Sequence, residues 1–187
     1  MSTGQLTAAK ARSLSPSAVA WPLQLAVLGL TLVAFALFTW RLDAKSIWWD
    51  ESLSLYRAQR SVAYVVSNRI DFPGANTIDL HPPLYFLVLH GFVKLFGARA
   101  WVLRFPSALL ATLMVPLLFV MGRSLRGARV GLLAAAGGAL SPFLLWYAQE
   151  ARMYTMVTTL GLAATYCLWR AASQRRARWA LGFVVAA

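Results

Sequence analysis

The chain has 187 residues, of which 59% are hydrophobic, 13% aromatic and only 13% charged, about half the charged fraction of an ordinary soluble domain. That composition, with a single cysteine (Cys167) set in an apolar run, excludes a soluble enzyme, a disordered tail, a coiled coil and a disulfide scaffold, and describes an integral membrane protein. The 18 basic residues outnumber the 6 acidic ones, for a net charge of +12, but they cluster between apolar runs instead of along one polar face, which is the pattern of membrane orientation and excludes nucleic acid as the partner.

Residues 1–19 are polar and rich in small residues, and are expected to form a disordered cytoplasmic tail. Residues 20–40 are uncharged and end on Trp40. They are long enough to cross a ~30 Å hydrocarbon core, and they lack the short apolar core and small-residue cleavage site of a signal peptide. Residues 41–104 differ in kind: the stretch up to His81 holds five of the six acidic residues and the Trp48–Trp49 pair. Glu51 to Ile70 reads as an amphipathic helix in the headgroup layer, its arginines facing the lipid surface. Asp71 to Asp79, with Pro73–Gly74, reads as a loop.

Four apolar runs follow: 84–96, 105–121, 130–148 and 153–169, and a fifth, 179–187, has only begun when the sequence given ends. The densest basic loops are Arg123/Arg126/Arg129 and Arg170/Arg175/Arg176/Arg178, and both should be cytoplasmic. With the amino end inside, only one crossing fits between the first span and Arg123. The longer, uncharged run 105–121 takes it, which makes 84–96, interrupted by His90 and Lys94, a helix that lies in or beside the interface. Asp50, Asp79, His81 and the Gln149–Arg152 turn then share the outer face. The expected architecture is an all-α multi-span bundle, with spans at about 20–40, 105–121, 130–148, 153–169 and 179–187 and an extracytoplasmic loop at 41–104. The small residues 134–139 should let helices pack closely, and His90 should face a neighbouring helix.

Motifs of soluble nucleotide- and metal-dependent enzymes are absent from the sequence: there is no Gly-x-Gly-x-x-Gly, Walker loop, Cys-x-x-Cys or His-Glu-x-x-His. Three outward elements can carry chemistry. Asp50–Glu51 can serve as a general base or hold a cation, or Asp50 can cap the following helix while Glu51 complements its dipole. His81 stands before Pro82–Pro83 at a helix start, where it can donate to a phosphate or sit in a rigid interfacial turn. Glu150 and Arg152 lie among aromatics after Pro142, which can kink its helix. They are either site residues or members of an interface belt.

The ordered set Trp48-Trp-Asp-Glu51, His81-Pro-Pro-Leu-Tyr85, Arg104-Phe-Pro-Ser107, Val115-Pro-Leu-Leu118, Gly122-Arg123, Ser141-Pro142 and Gln149-Glu-Ala-Arg-Met-Tyr154 resembles bacterial GT-C glycosyltransferases of the family 39 branch. These are relatives of the dolichyl-phosphate-mannose protein mannosyltransferases, and the resemblance runs from about Ile47 to Tyr154. It implies a membrane hexosyltransferase in the bacterial inner membrane, moving a sugar from a polyprenyl-phosphate donor to a hydroxyl of a protein, lipid or polysaccharide on the extracytoplasmic face, with inversion. By the same resemblance Asp50 and Glu51 are the catalytic pair, with Asp50 as base and Glu51 as its support or a cation ligand. His81, Glu150 and Arg152 are implied to bind substrate. A divalent cation is allowed but not required. Family members carry further spans that complete the lipid groove, so this stretch alone is expected to be inactive. The rival classes are a transporter or scaffold module, which would place ionisable groups at mid-membrane, and an enzyme transferring a non-sugar group to a lipid headgroup.

Overall fold

The computed structural model describes residues 16–72, 75–174 and 176–187. Its elements in chain order are α1 (Pro16–Thr39), α2 (Trp49–Ala58), α3 (Val62–Val66), β1 (Arg69–Phe72), β2 (Ala75–Ile78), α4 (Leu84–Phe96), α5 (Ala100–Arg126), α6 (Ala128–Ala139), α7 (Pro142–Ala148), α8 (Tyr154–Gln174) and α9 (Ala177–Ala186). The protein is an all-α membrane protein with one small hairpin. Of the tail expected over 1–19, residues 1–15 lie outside the described residues, whereas 16–19 form the first turn of α1. Proline suits that opening position because its missing N–H has no intrahelical acceptor there.

Two described helices are long and apolar enough to cross a membrane, Trp21–Thr39 and Ala100–Arg126. A third crossing is available as a broken pair, α6 and α7, bent by 52°. The break falls at Ser141–Pro142, as the proline suggests: Ser141 caps α7 by accepting from the Leu144 N–H at 3.3 Å, and Pro142 opens the helix. α8 covers the expected run 153–169 but carries Thr155, Thr158, Thr159 and Thr165, and it is not among the helices that meet the apolar criterion. Three of those hydroxyls bond back one turn, to Tyr154 O, Thr155 O and Gly161 O at 2.7–2.8 Å. Those three hydroxyls are satisfied within the helix without water, whereas the buried Thr155 hydroxyl has no partner among the described residues.

α5 is the axis of the fold. One face packs on α1, α6 and α7 through Phe38, Ala111, Met114, Val115, Ala135 and Leu144. In lipid the packing is governed by how closely backbones approach, and Gly122 and Gly131 set that limit. A Cβ on Gly131 would meet the Phe119 carbonyl oxygen at 2.7 Å, and one on Gly122 would meet the Gly131 Cα at 2.9 Å. The other side of α5 meets a second cluster built from Ala58, Val65, Tyr85, Phe86, Leu89, Leu103, Met153 and Met156, which seats the 41–104 segment. α4 spans 84–96 as expected, and His90 faces its neighbour, its Nδ1 lying 2.8 Å from the Ala58 carbonyl oxygen of α2.

Two expectations for that segment are corrected. The single helix over 51–70 is broken after Ala58, and a new helix starts where Ser61 accepts from the Tyr64 N–H. The loop over 71–79 is largely strand: β1 and β2 pair antiparallel with Arg69 opposite Ile78 and Asp71 opposite Asn76. The arginine at the break explains both. Arg57 is fully buried, not at a lipid surface, and it donates to the Val65 carbonyl at 3.0 Å and to Asn68 Oδ1 at 2.8 Å. It thereby folds the chain back on itself.

Candidate active site

α2 opens after Trp48, whose backbone is extended, so Asp50 and Glu51 occupy the second and third positions of the first turn and Asp50 is not the cap. Successive helical residues point about 100° apart, and the two carboxylates accordingly face different surroundings. Glu51 turns inward and is 1% exposed. Its Oε1 accepts from Arg104 Nε at 2.8 Å and from the Ala151 N–H at 3.0 Å, while its Oε2 accepts from Arg104 Nη2 at 2.6 Å and from the Trp48 N–H at 3.4 Å. Arg104, equally buried, spends its remaining protons on the carbonyls of Leu42, Lys45 and Ser46. This ion pair joins α2, α5, the end of the first span and the 149–152 turn at one point.

Asp50 is half-buried, and its carboxylate has no hydrogen-bond or ion-pair partner among the described residues. It lines a cleft of about 330 Å³ with His81, Asp79, Leu53 and Arg152. The Arg152 side chain is more than nine-tenths buried, yet its Nε has no partner. Its Nη1 reaches only the Asp50 carbonyl, at 3.5 Å, and no described carboxylate is ion-paired with it. Buried cations ordinarily keep a counter-charge. The cleft therefore presents a carboxylate and a guanidinium that are ion-paired neither with each other nor with another described residue.

His81 stands at the edge of the cleft. Its Nδ1 lies 2.5 Å from Asp79 Oδ1, and the backbone N–H of His81 donates to the same oxygen at 3.0 Å. The other Asp79 oxygen accepts from Arg57 Nη1 at 2.5 Å. Burial pushes the Asp79 carboxyl up, but the hydrogen bonds from His81 and the Arg57 charge outweigh it and hold the group below its ordinary value. His81 also lines a second cavity of about 360 Å³ with Pro82, Phe143, Leu144, Tyr147 and Val157. Pro82, Met153 and Val157 line in turn a third, of about 460 Å³, that runs along α8 toward α9. A polar cleft and a long apolar groove thus meet at His81.

Glu150 lines a different cavity from Asp50. With Trp48, Trp146, Lys45 and Gln149 it lines an adjoining cavity of about 250 Å³ that reaches the Glu51–Arg104 pair. Burial raises its carboxyl, against a lowering hydrogen bond from Trp146. The 149–152 turn is thus a partition, with Glu150 on one side and Arg152 on the other. Its Ala151 N–H is pinned to Glu51, and Gln149 Nε2 donates to the Trp40 carbonyl at 3.0 Å. The structure therefore brings Asp50, His81 and Arg152 together, places Glu150 next door and locks Glu51 between them. Among the described residues no three His, Cys, Asp or Glu side chains gather as a cation site, and both Glu51 oxygens are already committed.

The family model described as dolichyl-phosphate-mannose-protein mannosyltransferase matches residues 80–187, more than half the chain, and the protein belongs to that family. It is a multi-pass membrane glycosyltransferase of GT-C type. The matched region contains His81, Glu150 and Arg152 but begins after Asp50 and Glu51. No curated protein and no solved structure gives a significant match.

Proposed function

We propose that the protein transfers a sugar from a polyprenyl-phosphate donor to an acceptor hydroxyl at the extracytoplasmic face of a bacterial inner membrane, with inversion at the anomeric carbon. The observation that carries this reading is Arg152, a buried guanidinium without an ion-pair partner, lining one cleft with the unpaired Asp50 carboxylate. In the reaction the isoprenoid chain lies in the apolar groove along α8, and its phosphate reaches Arg152 and His81. Asp50 takes the proton of the acceptor hydroxyl as that oxygen bonds to the anomeric carbon. The carbon–oxygen bond to phosphate breaks, and the developing charge falls on the leaving phosphate, where Arg152 and His81 oppose it. Fixed donors at such a position are worth about two to three powers of ten each, and a general base about two to four.

Glu51 acts in this scheme as a support that sets the Asp50-bearing turn against the 149–152 turn, and Glu150 serves the acceptor side of the partition. The acceptor is a hydroxyl of a protein, lipid or polysaccharide. Asp50→Asn tests the base: it keeps the shape and removes the charge. Transfer from a radiolabelled polyprenyl-phosphate sugar in membranes should fall by about a hundredfold or more at unchanged expression. Near-normal turnover would overturn the assignment.

A further inference from the structure

Arg57, Asp79 and His81 form a connected polar chain that neither the ion pair at Glu51 nor the Asp50 cleft requires. Arg57 is fully buried, with the Phe86 ring 3.8 Å from its guanidinium carbon and with Val65 O and Asn68 Oδ1 as further acceptors. A buried arginine held from four directions fixes the carboxylate it pairs with. Asp79 is held in this way on one oxygen, and offers the other to both the Nδ1 and the backbone N–H of His81. A carboxylate can only accept, so the Nδ1 facing it must carry a proton. His81 Nε2 has no protein partner among the described residues. The same ring lines both the Asp50–Arg152 cleft and the apolar cavity.

We propose that Arg57 and Asp79 are positioning residues for His81, holding the imidazole with its Nδ1 proton committed to Asp79 so that Nε2 is the nitrogen presented to the phosphate of the donor. This rests on the reading of His81 as a phosphate contact. With the phosphate bound, Nε2–H donates to it in a charge-assisted hydrogen bond. Asp50 and Arg152 are the other charged groups lining that cleft.

The test uses the two histidines of the chain, ring-labelled with ¹⁵N in detergent micelles, with His90→Gln to assign the signals. His90 faces the Ala58 carbonyl through Nδ1 and reports correct folding in every other sample. At alkaline pH, where the rings are neutral, His81 should show a protonated Nδ1 and an unprotonated Nε2, opposite to the preference of free imidazole. Asp79→Asn should reverse this. Arg57 can only donate and will claim the single amide oxygen, which turns the amide NH₂ toward His81 Nδ1 and forces the proton to Nε2. Polyprenyl phosphate added to the unaltered protein should move the Nε2 signal toward the protonated form. In the transfer assay Asp79→Asn should lower kcat about tenfold while leaving the donor KM nearly unchanged.

A wild-type ring protonated at Nε2, or an Asp79→Asn ring unchanged from wild type, overturns the positioning claim whatever the ligand. The expected tautomers with no response to polyprenyl phosphate overturn the phosphate contact instead, and with it that part of the proposed function. A reversed tautomer with unchanged kcat shows a purely structural network and also refutes the proposal.

Discussion

Two adjacent carboxylates with opposite roles make a decisive experiment, because one substitution should damage the fold and its neighbour only the chemistry. Glu51→Gln keeps the size of the side chain, but all four groups around the carboxylate are donors: Arg104 Nε, Arg104 Nη2, Ala151 N and Trp48 N. An amide has one accepting oxygen. Whichever way it turns, its NH₂ meets N–H groups, and Arg104 loses its counter-charge while 3% exposed. Breaking a buried pair in this way costs about 3–5 kcal/mol. Arg104 keeps three carbonyl acceptors, which places the expected loss near the lower end, at about 3 kcal/mol. For a chain of this length that is a fall of roughly 6–12 °C in Tm. Asp50→Asn, whose carboxylate has no partner to lose, should stay within about 0.5 kcal/mol. Thermal unfolding of both variants in the same detergent measures the difference. A Glu51→Gln protein as stable as wild type, or an Asp50→Asn protein as damaged as Glu51→Gln, would refute the division of labour.

Gly131→Ala should destabilise the bundle by about 1–3 kcal/mol, because its Cβ meets backbone at Phe119 that no rotamer change can clear; Gly137→Ala, with open space around the new Cβ, is the neutral control in the same unfolding assay. For topology, cysteines placed at Thr77 and at Ser124 in a Cys167→Ala background should react with an impermeant thiol reagent from opposite sides of the membrane. Labelling from one side only would mean that α4 crosses and the orientation drawn from the basic loops is wrong. Polyprenyl phosphate at a hundred times its Kd should stabilise the protein by about 2.7 kcal/mol, and Arg152→Gln should remove most of that gain; equal stabilisation of both would place the phosphate elsewhere.

What the sequence made legible was what depends on local pattern. The apolar runs located α1, α4 and α5, and the serine and proline at 141–142 located the break between α6 and α7; the small residues 134–139 include Gly138, which packs on Leu118, but the closest backbone approach falls earlier, at Gly122 and Gly131. Residue order could not tell which of Asp50 and Glu51 is free, because the partner that decides it, Arg104, is 53 residues away. For the same reason Arg57 read as one more lipid-facing arginine: its partners Asn68 and Asp79 come 11 and 22 residues later. The hairpin did leave a trace. Four residues ending in Ile70-Asp-Phe72 and four ending in Thr77-Ile78 flank Pro73–Gly74, which is a strand–turn–strand pattern outweighed by the charges around it.

The three buried arginines of the segment carry the functional argument further than any motif. Burying a guanidinium away from water is costly, and proteins offset the cost with a carboxylate and well-placed acceptors. Arg104 has Glu51 and three carbonyls; Arg57 has Asp79, Asn68 and a carbonyl. Both are ion-paired and hold the fold, although the Arg57 Nε has no partner. Arg152 alone of the three has no ion-pair partner: its Nε is orphaned, it makes one long contact to a carbonyl, and the Tyr154 ring centre lies 5.9 Å from its guanidinium carbon. Both oxygens of Glu51 are taken, by Arg104, the Ala151 N–H and the Trp48 N–H. Asp50 beside it lends only its backbone. A fold that gives two such cations a carboxylate and leaves the third without one, where a polar cleft meets apolar cavities, is the ground on which Arg152 is proposed as the contact for an anion carried on an apolar chain.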